Sequence, residues 1–257
     1  MTKVRAAGGM RRGREGLPEG QAGGGAGPPV TWGQVPSFVR MSEPKAQAKK
    51  TDEIVPGVHH WTVSDDRLGG IRSDAYAVVD DDGTVTLIDP LPIDEKALRK
   101  LGDIDAIVLT AGNHQRSAWR LRKVFGVPVW APEGAQGLEE KPDFEYVNGT
   151  TLPGGLNTFQ TPGPTEAMYT LWLQKSPHAV VFISDLLSHE VRRTPTFVPG
   201  EYQDEPLRTR TSIQRILDHL PIQTVCFAHG APILKDGASA LRKALEEDDE
   251  FPHAPAP

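Results

Sequence analysis

The sequence predicts an α/β (α+β) fold, a four-layer αββα sandwich, and three observations predict it. Short β-branched runs separated by turn residues begin at Glu53. From Asp94 to Trp130 strands alternate with helices in a β-α-β-α-β order. A second group of strands follows and runs into helical spacing near the C-terminus. Two halves, each with several strands and with helices between them, match such a sandwich, and the loops at its strand ends would carry any site.

Ile54 to Val63, Ile71 to Val79 and Thr84 to Ile88 read as consecutive strands, with Asp80-Asp81-Asp82-Gly83 as the hairpin turn between the last two. A helix is expected from Asp94 to Leu101, a strand from Ala106 to Leu109, a helix from Gln115 to Phe125 and a strand from Val127 to Trp130. Strands follow at Leu156 to Gln160, Met168 to Leu173 and Ala179 to Ile183, the last fully apolar, as in a strand buried on both faces. Ile213, Ile216, Leu217 and Leu220 recur at i, i+3, i+4, i+7 and mark an amphipathic helix. A strand from Thr224 to Ala228 and a closing helix through Ala238, Leu241 and Leu245 end the pattern.

Residues 1–50 differ from the rest. They hold ten of the 26 glycines and nine Lys and Arg against three Asp and Glu, a balance of +6 in a chain of net charge −6. With few large apolar residues and no period, this Gly/Arg-rich segment cannot offset the entropy of ordering it, so it is expected to be a disordered tail ahead of a domain at 51–257. A natural start at Met41 is the alternative, which an intact-mass measurement decides.

The 257 residues, 38% hydrophobic, suffice for a core. One cysteine, Cys226, excludes a disulfide framework and a cysteine-based zinc cluster, and mid-strand it packs as a small hydrophobe. No apolar run reaches membrane-spanning length, and Lys3, Arg5, Arg11, Arg12 and Arg14 are followed by no apolar export region. A cytoplasmic protein with no membrane and no nucleic-acid partner is expected, since the body is acidic. The oligomeric state is left open. Eight histidines would be enough for a two-metal centre. There is no G-x-S-x-G elbow, no Walker A loop, no G-x-G-x-x-G after a strand and no H-E-x-x-H helix.

The residues just after strands are Asp89-Pro90, Thr110-Ala111-Gly112-Asn113-His114-Gln115-Arg116, Thr161-Pro162-Gly163-Pro164, Ser184-Asp185 and His229-Gly230-Ala231-Pro232. Their order and spacing, from about Ile54 to Glu247, resemble the metallo-β-lactamase fold family. The resemblance implies a sandwich of the metallo-β-lactamase type and a metal-dependent hydrolase. It also implies an H-x-H-x-D-H loop after the Leu-Thr strand, with later His, Asp and His ligands holding two metals about 3.5–4 Å apart.

Carried over by position, the four slots of that loop fall on Ala111, Asn113, Gln115 and Arg116, and the next falls on Pro164. Only Asp185 and His229 retain the expected ligand types, and His114 lies one residue off the pattern, where a shifted loop would bring it in. Ala and Pro offer no donor and Gln is a poor one. A guanidinium roughly 4 Å from a divalent cation is repelled by about 8 kcal/mol at an effective dielectric near 20. Arg116 is therefore expected to fill the vacated metal position and pair with Asp185 in a bidentate geometry.

Plainer roles stand beside these. Asp185 could cap a turn, His229 could be a half-buried histidine, and His114 could neighbour a helix N-cap. Arg120 and Lys123 read as a solvated helix face, His189 as a surface-loop histidine, and of His59 and His60 one faces in and one out. The reading favoured by the lost slots is a non-classical or inactive member with a degenerate metal site, a small-molecule binding or regulatory scaffold whose ligand would meet Arg116, His114 and Asn113. The alternative is a single-metal hydrolase of an ester, thioester or lactone with His114, Asp185 and His229 on one zinc or iron ion. Between no metal and one metal the sequence does not decide.

Overall fold

The structure is a computed structural model, and it describes residues 43–175, 178–189 and 193–248. Its first sheet has seven strands in sequence order: β1 (Asp52–Val55), β2 (Val58–Asp65), β3 (Ile71–Val79), β4 (Thr84–Ile88), β5 (Asp103–Val108), β6 (Val129–Pro132) and β7 (Phe144–Tyr146). β1 to β4 pair antiparallel, and β4 to β7 pair parallel. Helices α1 (Glu95–Arg99) and α2 (Ala118–Phe125) make the crossovers from β4 to β5 and from β5 to β6.

The second sheet contains β8 (Asn157–Gln160), β9 (Tyr169–Lys175) and β10 (His178–Phe182), followed in the chain by a small hairpin of β11 (Leu187–Ser188) and β12 (Thr196–Phe197). Helix α3 (Pro206–His219) then leads into β13 (Thr224–Cys226), and α4 (Gly237–Glu246) closes the domain. Sheet order is β13-β10-β9-β8, with β13 parallel to β10 and the other pairs antiparallel.

The period of two in each strand sorts side chains into three cores. Ala75, Ala77, Leu87, Ile107 and Leu109 pack with Leu98 of α1 and Trp119 and Leu121 of α2. Their neighbours Tyr76, Val78, Ile88 and Val108 face Leu171, Leu173, Val180 and Phe182 of the second sheet. Val181, Ile183, Val225 and Phe227, from the opposite face of that sheet, pack with Ile213 and Ile216 of α3 and Leu241 and Leu245 of α4. Helix, sheet, sheet and helix therefore stack in that order, as the sequence predicts. Each fully buried Leu, Ile or Val contributes about 1.5–3 kcal/mol. Cys226 packs in the middle core, as expected.

Several boundaries differ from expectation. The run Ile54 to Val63 is two strands, because Pro56 lacks a donor and Gly57 turns the chain at φ 74°. The helix expected from Gln115 begins at Ala118, after a separate 3-10 turn at Gly112–His114, and ends at Gly126 in the left-handed region. The expected tail lies outside the described residues as far as 42. Of the rest, Ala48 bridges Ile93 through hydrogen bonds to Pro92 and Asp94, and Glu43 pairs with Arg120. Among the described residues no helix is long and apolar enough to cross a membrane.

The parallel strands β4, β5, β10 and β13 all end at one edge of the sandwich, where β3 begins. Tyr76 joins the two sheets there, donating from its hydroxyl to Phe227 O at 2.8 Å and accepting from Phe227 N at 3.1 Å.

Candidate functional site

Three chain segments bring His114, Asp185 and His229 together, with one ligand-type atom from each within 4.8 Å of the others. His114 comes from the 3-10 turn after β5, Asp185 from a turn after β10 and His229 from the turn after β13. His114 Nε2 lies 2.9 Å from Asp185 Oδ2, and His229 Nε2 lies 3.4 Å from Asp185 Oδ1. The turn at Gly112–His114 is the shifted loop that brings His114 into the site. It needs glycine at 112, where a Cβ would stand 2.1 Å from Gln136 O.

Each imidazole is fixed from behind. His114 Nδ1 lies 2.9 Å from Asp89 Oδ2, and Asp89 also accepts from Thr110 N at 2.8 Å and Thr110 Oγ1 at 2.6 Å. His229 Nδ1 lies 3.1 Å from Arg72 O, which can only accept, so that nitrogen carries a proton and Nε2 is the nitrogen that faces Asp185. Gly230 N donates to Asp74 Oδ2 at 2.7 Å, and Asp74, almost fully buried, also pairs with His60 and Arg72.

Backbone strain collects here. Among the described residues four non-glycines have positive φ, and three of them, Asp89 (45°), Arg116 (35°) and Ser184 (53°), belong to the loops of this site. Such conformations cost of order 1–3 kcal/mol each and persist where surrounding contacts enforce them.

The charges are strongly coupled. Burial pushes the His114 imidazole down, but the carboxylates of Asp185 and Asp89 outweigh both burial and the opposing Arg116 charge and raise its pKa to about 9. Burial likewise pushes Asp185 up, yet His114 and His229 hold its carboxyl well below the usual range. Asp185 Oδ2 accepts from Asn113 Nδ2 at 3.0 Å, whereas the buried Oδ1 faces His229 Nε2 at the longer distance of 3.4 Å without a well-formed hydrogen bond.

The other slots are used for structure. Ala111 is fully buried in the apolar core under α3 and α4. Gln115 Oε1 accepts from Trp119 Nε1 and Glu139 N, both at 2.7 Å, and its Nε2 donates to Gly137 O at 2.9 Å. The expected bidentate pair of Arg116 with Asp185 does not form. Arg116 Nη1 donates to the carbonyl oxygens of Asp74 at 2.7 Å and Asp89 at 3.2 Å, and the residue is 3% exposed. His189 is not a loose surface histidine. Its backbone brackets the His229-Gly230 turn and its ring lies 5.2 Å from that of Phe227.

Asp65, Ser73, Asp74 and Thr110 were not identified as site residues from the sequence. Thr110 follows the β5 strand and so carried a signal; the other three lie on β2 and β3, where no motif marks them.

The donor set fits one divalent metal. It supplies two imidazole nitrogens and a carboxylate whose buried Oδ1 faces His229 Nε2, and three protein ligands leave an open position on such an ion. Ala111, Gln115 and Arg116 are engaged in packing and hydrogen bonds away from this cluster.

Residues 53–247 match the family described as the metallo-beta-lactamase superfamily. No curated protein matches the chain. Among solved structures, the B3 metallo-beta-lactamase BLEG-1 is 24% identical with a TM-score of 0.51, covering 68% of this chain and 93% of that one. A metallo-beta-lactamase from Erythrobacter litoralis is 15% identical with a TM-score of 0.58, covering 77% and 92%. An archaeal superfamily protein from Sulfolobus tokodaii is 16% identical with a TM-score of 0.55, covering 72% and 85%. At these identities the likeness shows the fold.

Proposed function

This chain belongs to the metallo-β-lactamase superfamily, and from that premise we propose that it is a single-metal hydrolase of an ester, thioester or lactone, with His114, Asp185 and His229 as the ligands. The observation that carries the reading is the aim of the ligand atoms. Both Nε2 atoms and the Asp185 carboxylate converge, while both Nδ1 atoms are held by acceptors behind them. A bound zinc or iron ion supplies Lewis acidity toward a carbonyl oxygen and acidifies a water.

The chain's own groups do the rest. Asp89 and Arg72 O orient the imidazoles, and Thr110 holds Asp89 in place. Asn113, exposed at the mouth, presents an amide donor beside Asp185 for a substrate oxygen. We assign this function to 51–257, without a contribution from the basic segment before it.

Elemental analysis of the purified chain tests the reading, with about one zinc or iron per chain expected. Asp185→Ala and His229→Ala should each abolish that content together with hydrolysis of a thioester or lactone probe. A chain without stoichiometric metal, or with hydrolysis indifferent to chelator and to both changes, overturns it.

A second reading is favoured by one observation. His114 is already paired on both nitrogens, with Asp89 and with Asp185, so the cluster closes without a metal. The protein would then be a binding or regulatory scaffold whose small ligand meets His114 and Asn113, with Arg116 lending charge from beneath. The same metal analysis separates the two.

A further inference from the structure

Asp65, the last residue of β2, is fully buried. Its Oδ1 accepts from Arg67 N at 3.0 Å and Arg67 Nε at 2.9 Å, which caps the tip of the β2–β3 hairpin. Its Oδ2 accepts from Arg67 Nη2 at 2.5 Å and, at 3.2 Å, from the hydroxyl of Ser73, which is also fully buried. Ser73 Oγ lies 3.4 Å from His229 Nδ1.

The direction of these bonds is fixed by proton counting. A carboxylate can only accept, so the single hydroxyl proton of Ser73 goes to Asp65. The lone pairs of Ser73 are then left for His229 Nδ1–H, beside the carbonyl of Arg72 that also accepts there. We propose that Asp65 is a positioning residue for His229, acting through the Ser73 hydroxyl to hold the imidazole as the Nδ1–H tautomer with Nε2 turned to Asp185. The consequence for metal binding rests on the single-metal reading, whereas the tautomer is a property of the metal-free chain.

Asparagine at 65 reverses the relay. Arg67 N and Nε both need an oxygen at the Oδ1 position, so the amide nitrogen would take the Oδ2 position, where Arg67 Nη2 loses its acceptor and Ser73 Oγ receives a hydrogen bond. The Ser73 proton is then released toward His229 Nδ1 and opposes its protonation.

The test compares the full chain with Asp65→Asn, Ser73→Ala and the double variant, by ring nitrogen NMR of the metal-free proteins and by zinc affinity. Asp65→Asn is expected to move His229 toward the Nε2–H form and to weaken zinc about ten-fold. Ser73→Ala, which leaves the cap intact, should weaken zinc several-fold, and adding Asp65→Asn to it should change neither reading further.

Unchanged His229 signals and zinc affinity in Asp65→Asn overturn the proposal. Equal effects of Asp65→Asn with and without the Ser73 hydroxyl overturn it too, since Asp65 would then be a hairpin cap alone. If Asp65→Asn does not fold, Ser73→Ala decides, and an unaltered zinc affinity there rejects the relay. If the parent chain binds no zinc, the metal reading fails while the ring signals still decide the tautomer.

Discussion

His114 Nε2 and Asp185 Oδ2 stand 2.9 Å apart, and Asp89 Oδ2 stands the same distance from the other nitrogen of the ring. The imidazole therefore bridges two carboxylates, each supplied by a different sheet. Asp185 is the face a metal would use, and Asp89 is the support behind it.

Asp89→Asn tests that support. Asp89 accepts from Thr110 N, Thr110 Oγ1 and His114 Nδ1 through two oxygens, and an amide, with one oxygen and one donor nitrogen, cannot accept from all three. Breaking a buried charged pair costs about 3 kcal/mol, and losing the group behind a metal-bound histidine weakens metal about 10- to 100-fold. Urea denaturation and chelator competition measure the two effects. A variant as stable and as metal-retentive as the parent would remove Asp89 from its assigned role.

Gly230→Ala should be among the most damaging single changes in the domain. Gly230 has φ 121°, and a Cβ there would stand 1.9 Å from His189 O, a backbone atom that cannot step aside. Strain and overpacking at such a position cost of order 1–3 kcal/mol each, so about 4 kcal/mol in total is expected. The His229 turn should move with it and metal content should fall. Thermal unfolding and elemental analysis read both.

How much of this was legible in the sequence follows from how local each signal is. The runs Ile71 to Val79 and Thr84 to Ile88 were readable as strands, because period two survives in any strand of five residues or more. Alternation could not place β7, β11 or β12, whose two or three residues hold too few alternations. The order of strand-end frames located His114, Asp185 and His229, since each follows a strand that ends at the same edge. Arg116 was misjudged because its direction depends on a positive φ that no residue type announces. Asp74 was passed over because it lies inside a strand, and a buried carboxylate there reveals its use only when Gly230, distant in sequence, folds onto it.

Acid should destabilise the domain partly through Asp65. Burial pushes its carboxyl up, but hydrogen bonds and charge from Arg67, helped by Ser73, leave it below the ordinary 3.8. A folded pKa below the unfolded one means that the unfolded chain takes up the proton first as pH falls. The stabilisation is therefore present above pH 3.8 and is lost as pH drops through the folded value. In Asp65→Asn the loss of stability between pH 5 and the acid limit should be smaller than in the parent, as measured by denaturant midpoints across that range. An identical pH profile would show that this carboxylate is not preferentially ionised in the folded chain.

Restoring the family's aspartate at position 115 should not restore a second metal. Gln115 holds Trp119 Nε1, Glu139 N and Gly137 O at once, so Gln115→Asp, one methylene shorter and without an amide donor, leaves two donors seeking partners beneath a packed segment. Each donor left unsatisfied costs about 1–3 kcal/mol, so a loss of about 3 kcal/mol is expected. Ala111, fully buried among apolar side chains, has no room for an imidazole beside it, and Arg116 keeps its charge under the loop. Metal content should therefore stay at one per chain while the urea midpoint falls. A rise toward two metals with stability intact would show that the vacated half of the site is open, contrary to the packing of Gln136 against Gly112.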